Sequence, residues 1–326
     1  MWKDIFRIIK KLAVLLVPIY VLLPLYCAFF PMYYMDDEYA MYRQQREYCL
    51  QETEDDKEII ILGDSRTKAG LVPEVLSENS YNLALGGATP IEGYYSLREY
   101  LQHHDAPKTI ILAYAPMHYM DVDTLWTRTV YFHNMDRDDF FEILQNAKNC
   151  QKKEKILLPH YGLEYAMYAL YLPNKYATAL KKSGFVFRHR QTVTKYREMK
   201  EQRGHTLYGT ENGSGGVNGE AHESDFEASD VIDLYLDRML DLCREEGISV
   251  ILEQLPMNET SYSILQPDFK THYKEYMAGI ADAHPEALVN AGFCCYNNEY
   301  FGDADHLNAE GCEVYTQFIR EKYGFR

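Results

Sequence analysis

Gly63-Asp64-Ser65-Arg66 closes a short apolar run, and Asp303-Ala304-Asp305-His306-Leu307-Asn308 opens an amphipathic one near the far end of the chain. Together the two segments hold the residue types of nucleophilic catalysis: a serine hydroxyl, an imidazole and a carboxylate to orient the ring. Asp303 and His306 stand three residues apart, a spacing that puts both side chains on one side of a tight turn or first helical turn. The carboxylate can then accept from one ring nitrogen and leave the other to take a proton from Ser65. Each segment alone also has a plainer reading. Gly-Asp-Ser is good turn and N-cap chemistry, and Asp305 or Asn308 could simply cap the helix that follows.

Bringing these residues together requires rigid elements that end at one edge. Glu58-Ile59-Ile60-Ile61-Leu62-Gly63 is continuously apolar, too short for a helix and ended by glycine, which is the pattern of a buried parallel strand. Similar runs recur at 81–85, 109–114 and 248–255, with a weaker one at 287–291. Helical patterns lie between them, at 93–103, 230–246, 270–284 and 308–323. The alternation predicts an α/β fold of three layers, a mostly parallel sheet with helices on both faces. Ser65 then falls just past the carboxyl end of a strand, where open α/β sheets place their ligand crevice. The helix that follows offers its N–H groups to a developing oxyanion. Residues 121–225 break the rhythm. They look helical at 138–155 and 164–180 and finish in a Gly/Ser/Asn-rich loop at 204–219, which predicts an insertion over the sheet edge.

Three motifs occur in order: Gly63-Asp64-Ser65 after the first strand, Asn82-x-x-x-x-Gly87-x-Thr89 after the second, and Asp303-x-x-His306 before the last helix. In that context they resemble the SGNH (GDSL-type) hydrolase superfamily over about residues 58–326. The resemblance implies a flavodoxin-like arrangement of the sheet, with Ser65 as nucleophile, His306 as general base and then acid, and Asp303 as its orienting carboxylate. It also implies an oxyanion hole made by the backbone N–H groups of Ser65 and Gly87, with no cofactor and no metal. Glycine suits that position, because a residue without Cβ lets a carbonyl approach the main chain closely. The chain departs from the superfamily at its third block. A Gly-x-Asn-Asp turn is expected there, but the strand ends Leu112-Ala113-Tyr114-Ala115-Pro116-Met117-His118 with no asparagine. Losing one oxyanion donor costs on the order of 10²–10³ in rate, so either another group replaces it or the site is not built for hydrolysis. His118 and Asn258 fall at the same sheet edge, as donors or as structural or substrate-contacting residues. Arg66 and Arg128 are candidates to hold an anionic or sugar substrate, with surface ion pairs as the alternative for both.

The N-terminus sets the expected location. From Leu12 to Met35, 24 residues carry no charge, and Lys3, Arg7, Lys10 and Lys11 precede them. Such a run can cross a hydrocarbon core of about 30 Å with some tilt. The basic flank at residues 1–35 predicts a cytoplasmic N-terminus and an extracytoplasmic domain. No small-residue cleavage site ends the run, which disfavours a removed signal peptide. Residues 36–57 are polar with helical character and predict a juxtamembrane stalk, and the tyrosine cluster from Tyr34 to Tyr48 fits an interfacial belt. The chain carries a net −16, +3 on residues 1–35 and −19 beyond, which argues against a nucleic-acid partner. Six of the seven cysteines lie beyond the apolar run without a C-x-x-C pair, so zinc and thioredoxin-like readings lack support.

A degenerate third block joined to a membrane anchor resembles one subset of the superfamily, the surface-polymer acylation proteins. These include the D-alanyl transfer protein of teichoic acids and the alginate O-acetylation proteins, which are paired with a multispanning membrane-bound O-acyltransferase. The resemblance implies a membrane-anchored serine acyltransferase that moves an acyl group from an acylated donor, through a Ser65 ester, to a polysaccharide or teichoic-acid-like acceptor. The alternatives are a carbohydrate O-acetyl-esterase of the same fold, or an inactive scaffold or glycan-binding partner of the membrane enzyme.

Overall fold

The computed structural model describes residues 2–52, 57–122, 124–151, 154–290 and 292–326. Its strands are β1 (Ile59–Gly63), β2 (Ser80–Asn82), β3 (Thr109–Ala113), β4 (Ser249–Leu252), β5 (Met257–Asn258), β6 (Leu288–Val289) and β7 (Cys295–Tyr296). Five of them form one parallel sheet in the order β2-β1-β3-β4-β6, and β5 pairs with β7 in a separate parallel ribbon. Every residue of β1 is buried, as a strand covered on both faces requires. Ile60 and Leu62 join Ile110 and Leu112 in one core, while Ile59 and Ile61 join Ile111 and Ala113 in the other.

Helices α4 (Pro90–His103), α7 (Asp230–Glu245) and α8 (Pro267–Ala283) supply the first core with Ile91, Leu97, Leu236, Met239, Phe269 and Met277. The second core is closed by α9 (Ala309–Tyr323), through Cys312, Tyr315 and Ile319. β2 is shorter than the apolar run around it, yet the N–H groups of Leu83 and Leu85 continue its bonding to the carbonyls of Ile61 and Gly63. The run at 248–255 leaves the sheet after Glu253, whose N–H still reaches Leu112, and turns into β5. Of the weak run at 287–291, only Leu288–Val289 pairs, and residue 291 lies outside the described residues.

The insertion differs from expectation in three places. The helix expected at 164–180 is two helices, Tyr161–Ala169 and α5 (Pro173–Ser183). Pro173 cannot continue a helix from upstream because it lacks an N–H, and Tyr171 turns the chain at φ +52°. A further helix, α6 (His189–Glu201), went unread because it buries only Thr192 and Met199 and shows little apolar periodicity. The helix expected at 138–155 runs from Arg137 to Asn149, and residues 152–153 of that span lie outside the described residues.

The largest correction concerns residues 36–57, of which 53–56 lie outside the described residues. In place of a free-standing stalk there is α2 (Asp37–Leu50), packed between α4 and α6 with Ala40, Met41, Tyr42 and Cys49 buried. Tyr34 and Tyr42 are also in the interior, and Tyr48 stacks on Tyr81 with centroids 3.6 Å apart, so these tyrosines serve packing rather than an interfacial belt. The reason lies in the surfaces that α2 meets. α2 has apolar residues on its inward side, and burying them against the domain outweighs leaving them in water. Before it runs α1 (Trp2–Phe29), 28 residues long and apolar enough to cross a membrane, as an anchor or a signal sequence would be. Its last turns pack into the domain, where Leu23, Tyr26 and Cys27 meet Tyr34, Tyr176 and Leu180.

Candidate active site

Ser65 is the first residue of α3 (Ser65–Gly70), directly after β1. The tight turn between them depends on Gly63, where a Cβ would stand 2.0 Å from the Ala113 carbonyl oxygen of the neighbouring strand. Asp64 caps α3. Its Oδ1 accepts the N–H groups of Arg66 at 2.9 Å and Thr67 at 3.2 Å, and its Oδ2 accepts that of Ala115 at 2.7 Å. The plain reading of Gly-Asp-Ser is therefore also correct: Asp64 ties the carboxyl ends of β1 and β3 together and leaves Ser65 half-buried at the rim.

The fold brings His306 to that rim from 241 residues away. Ser65 Oγ lies 2.8 Å from His306 Nε2, and His306 Nδ1 lies 2.9 Å from both carboxylate oxygens of Asp303. Ionised Asp303 only accepts, so Nδ1 carries the ring proton and Nε2 is free to accept from the serine hydroxyl. Partial burial pushes the Asp303 carboxyl up, but the His306 ring and the N–H groups of Asp305 and His306 outweigh this and hold it at about 2. Asn308, not Asp305, caps α9, with Oδ1 accepting the Gly311 N–H at 2.9 Å. Asp303 is thereby left to the imidazole. Hydroxyl, imidazole and carboxylate stand in the order that a nucleophile, base and orienting acid would need for acyl transfer.

Three residues brace this turn. Arg66 is 5% exposed and reaches Glu220 at 2.9 Å and Asp305 at 2.6 Å, joining α3 to the 303–306 turn. Burial works against its charge, yet Glu220, Asp305 and Asp64 hold it firmly protonated. The geometry thus assigns Arg66 to internal ion pairs instead of substrate. Asn258 is fully buried and donates to the carbonyls of Gly216 and Ala304, so it too braces the turn and is not open to a ligand. The third brace was not read from sequence. Tyr208 stacks on the His306 ring, centroids 4.7 Å apart and planes 17° from parallel. It belongs to the Gly-rich loop, whose N–H groups at Glu211 and Gly213 bond the carbonyls of Gly302 and Phe301. A tyrosine in a low-complexity loop gives no local signal of such a contact.

The opposite wall is the turn after β2. Gly87 has φ +72°, and the position a Cβ would take there is 2.3 Å from Arg128 Nη1. Neither the Ser65 nor the Gly87 N–H has an acceptor among the described residues, so both remain available to a ligand oxygen. Arg128 comes from a short π-helical segment, Leu125–Val130, and its Nε and Nη2 grip the two carboxylate oxygens of Glu38 at 2.8 and 2.9 Å. Nη1 has no partner among the described residues. Glu38 lies on α2, and Tyr42 of the same helix donates to the Gly86 carbonyl at 2.9 Å, so the segment next to α1 shapes this wall. His118, after β3, has Nε2 3.5 Å from Asp64 Oδ2, and burial lowers its pKa so that the ring is neutral near pH 7. The chain matches no family model and no curated protein.

Proposed function

We propose that this protein is a membrane-tethered serine acyltransferase of the SGNH type, acting outside the cytoplasm on a cell-surface polysaccharide or teichoic-acid-like polymer. The observation that carries the reading is the Ser65–His306–Asp303 relay, with both of its contacts at hydrogen-bond distance. The three-layer arrangement, with Ser65 past the end of a central strand, supports the same superfamily. In the first half-reaction His306 Nε2 takes the Ser65 proton as Oγ attacks the donor carbonyl. The N–H groups of Ser65 and Gly87 hold the oxyanion, and His306 returns the proton to the leaving group. An acceptor hydroxyl, deprotonated by the same nitrogen, then takes the acyl group from Ser65, and His306 returns that proton to the departing Ser65 Oγ.

Arg128 is our candidate for the donor that the absent asparagine would have supplied. Its Nη1 stands against Gly87, and Glu38 fixes the guanidinium without occupying that nitrogen. His118 remains a candidate substrate contact on the other side of Ser65. The packing of Cys27 and Tyr34 inside the domain supports α1 as a retained anchor, since removing it would strip a formed core. Anchor and degenerate third block together favour a multispanning membrane-bound O-acyltransferase as the source of the acyl donor. Plain ester hydrolysis is the second reading, favoured by the Asp303 side chain being 40% exposed, which lets water compete.

An activated acetyl ester separates the two readings. We expect a burst of one acetyl per chain, located on Ser65, followed by turnover that oligosaccharide acceptors accelerate. Turnover that ignores acceptors makes the protein an esterase. The absence of acylation in a folded chain rejects both readings.

A further inference from the structure

The turn between α5 and α6 carries Phe185-Val186-Phe187, three consecutive exposed apolar residues, with Phe187 83% exposed. Water disfavours such a tip, and nothing in the domain covers it among the described residues. Its place along α1 says what does. Tyr26 donates to the Phe185 carbonyl and packs on the Phe185 ring with centroids 6.2 Å apart. Tyr33 stacks on His189 at 4.0 Å. The tip is therefore level with residue 26 of α1.

Helix geometry then fixes its depth if α1 spans a bilayer. Lys11 is the last charged residue before the apolar run. From there to Tyr26 the helix rises about 22 Å, short of the roughly 30 Å of hydrocarbon it must cross. The apolar layer thus reaches past Tyr26 and takes in the 184–187 turn, along with Phe29, which is 74% exposed. Two further features fit that depth. Backbone groups in an apolar layer need internal partners, and the N–H groups of Phe185 and Phe187 bond Leu180 and Ser183 while the Phe185 carbonyl takes the Tyr26 hydroxyl. Exposed cations, Lys181, Lys182 and Arg190, flank the tip where phosphate headgroups would lie.

We infer that the 184–190 turn is a second membrane contact, in which Phe185, Val186 and Phe187 enter the outer leaflet beside α1 and the flanking cations meet lipid phosphates. The contact rests on α1 as a span and is independent of the Ser65 chemistry. It holds the domain in one orientation, with the α2 wall of the candidate site kept near the bilayer surface.

Depth-dependent quenching tests this on the full chain reconstituted into phosphatidylcholine vesicles with brominated acyl chains. The background carries Trp2→Phe and keeps buried Trp126, and single reporters are placed as Phe187→Trp, Leu22→Trp and, on α9, Val314→Trp. The expected result is strong quenching of the Leu22→Trp reporter by deep bromines and of the Phe187→Trp reporter by shallow ones. The Phe187→Trp slope should exceed that of Val314→Trp at least about threefold. Replacing part of the lipid with phosphatidylglycerol should increase the shallow quenching, and salt should reverse the increase. Quenching at Leu22→Trp with Phe187→Trp no better than Val314→Trp leaves the span intact and overturns the second contact. Quenching at neither position overturns both.

Discussion

Arg66 and Arg128 flank the same serine and differ in nearly everything that decides what a charge is for. Arg66 is 5% exposed and bonded to two carboxylates, one of them completely buried, whereas the Arg128 side chain is 30% exposed, holds one carboxylate and keeps Nη1 unpartnered among the described residues. A buried guanidinium paired through both terminal nitrogens to carboxylates of the protein is a brace. One fixed from behind, with a nitrogen left toward Gly87, is suited to be a handle. Both ion pairs were foreseeable as residue types, but only the partners, more than 80 positions away in sequence for each, separate the two roles.

The comparison can be broken by exchanging the losses. Arg66→Met leaves Glu220 buried and unpaired, and should cost about 3–5 kcal/mol of stability, seen as a large drop in the denaturation midpoint. Adding Glu220→Gln should restore part of it. Arg128→Gln should lower acyl transfer about 10²-fold while changing stability by no more than about 1 kcal/mol. Glu38→Gln should act in the same direction more weakly. If Arg66→Met folds normally and Arg128→Gln unfolds, brace and handle are interchanged.

Lys68 sharpens the comparison as a buried cation with no carboxylate in reach among the described residues; its Nζ meets only the Asn82 carbonyl, at 3.5 Å. Burial pushes it down to about 7, against an ordinary lysine value of about 10.4. Between those values the unfolded chain holds the proton and the folded chain does not, so stability rises with pH across that window. Below pH 7 the cost of the buried charge is complete. Lys68→Met should therefore stabilise the protein by roughly 1–3 kcal/mol at pH 6, a gain that fades toward pH 10 in parallel denaturation curves. The smallest effect belongs to Tyr208. Tyr208→Leu removes the plate against His306 and should slow acylation about three- to tenfold, whereas Tyr208→Phe should stay near the parent rate.

The residues that could be read from sequence are those whose meaning is local. Gly63-Asp64-Ser65 announces a strand end, a cap and a hydroxyl at the sheet rim within a few positions, and Asp303 and His306 meet through their own spacing. The strands were legible because continuous apolar runs ending in glycine have few other uses. Tyr208, Glu38 and the outlook of Arg128 were not, since their meaning lies in contacts with distant segments. The stalk was misread for a related reason. α2 is polar enough to look solvated, and only the surfaces of α4 and α6 reveal which side it buries. Asn258 shows the same limit in reverse, because its position at the sheet edge was legible while its commitment to the Gly216 and Ala304 carbonyls was not.

Activation of Ser65 by His306 would show itself in the reaction with a fluorophosphonate. Incubated with the folded full chain, the reagent should add once, on the peptide bearing Ser65. Labelling should vanish in Ser65→Ala and fall at least about 10³-fold in His306→Ala. An unlabelled folded chain, or labelling that His306→Ala leaves unchanged, would contradict the account.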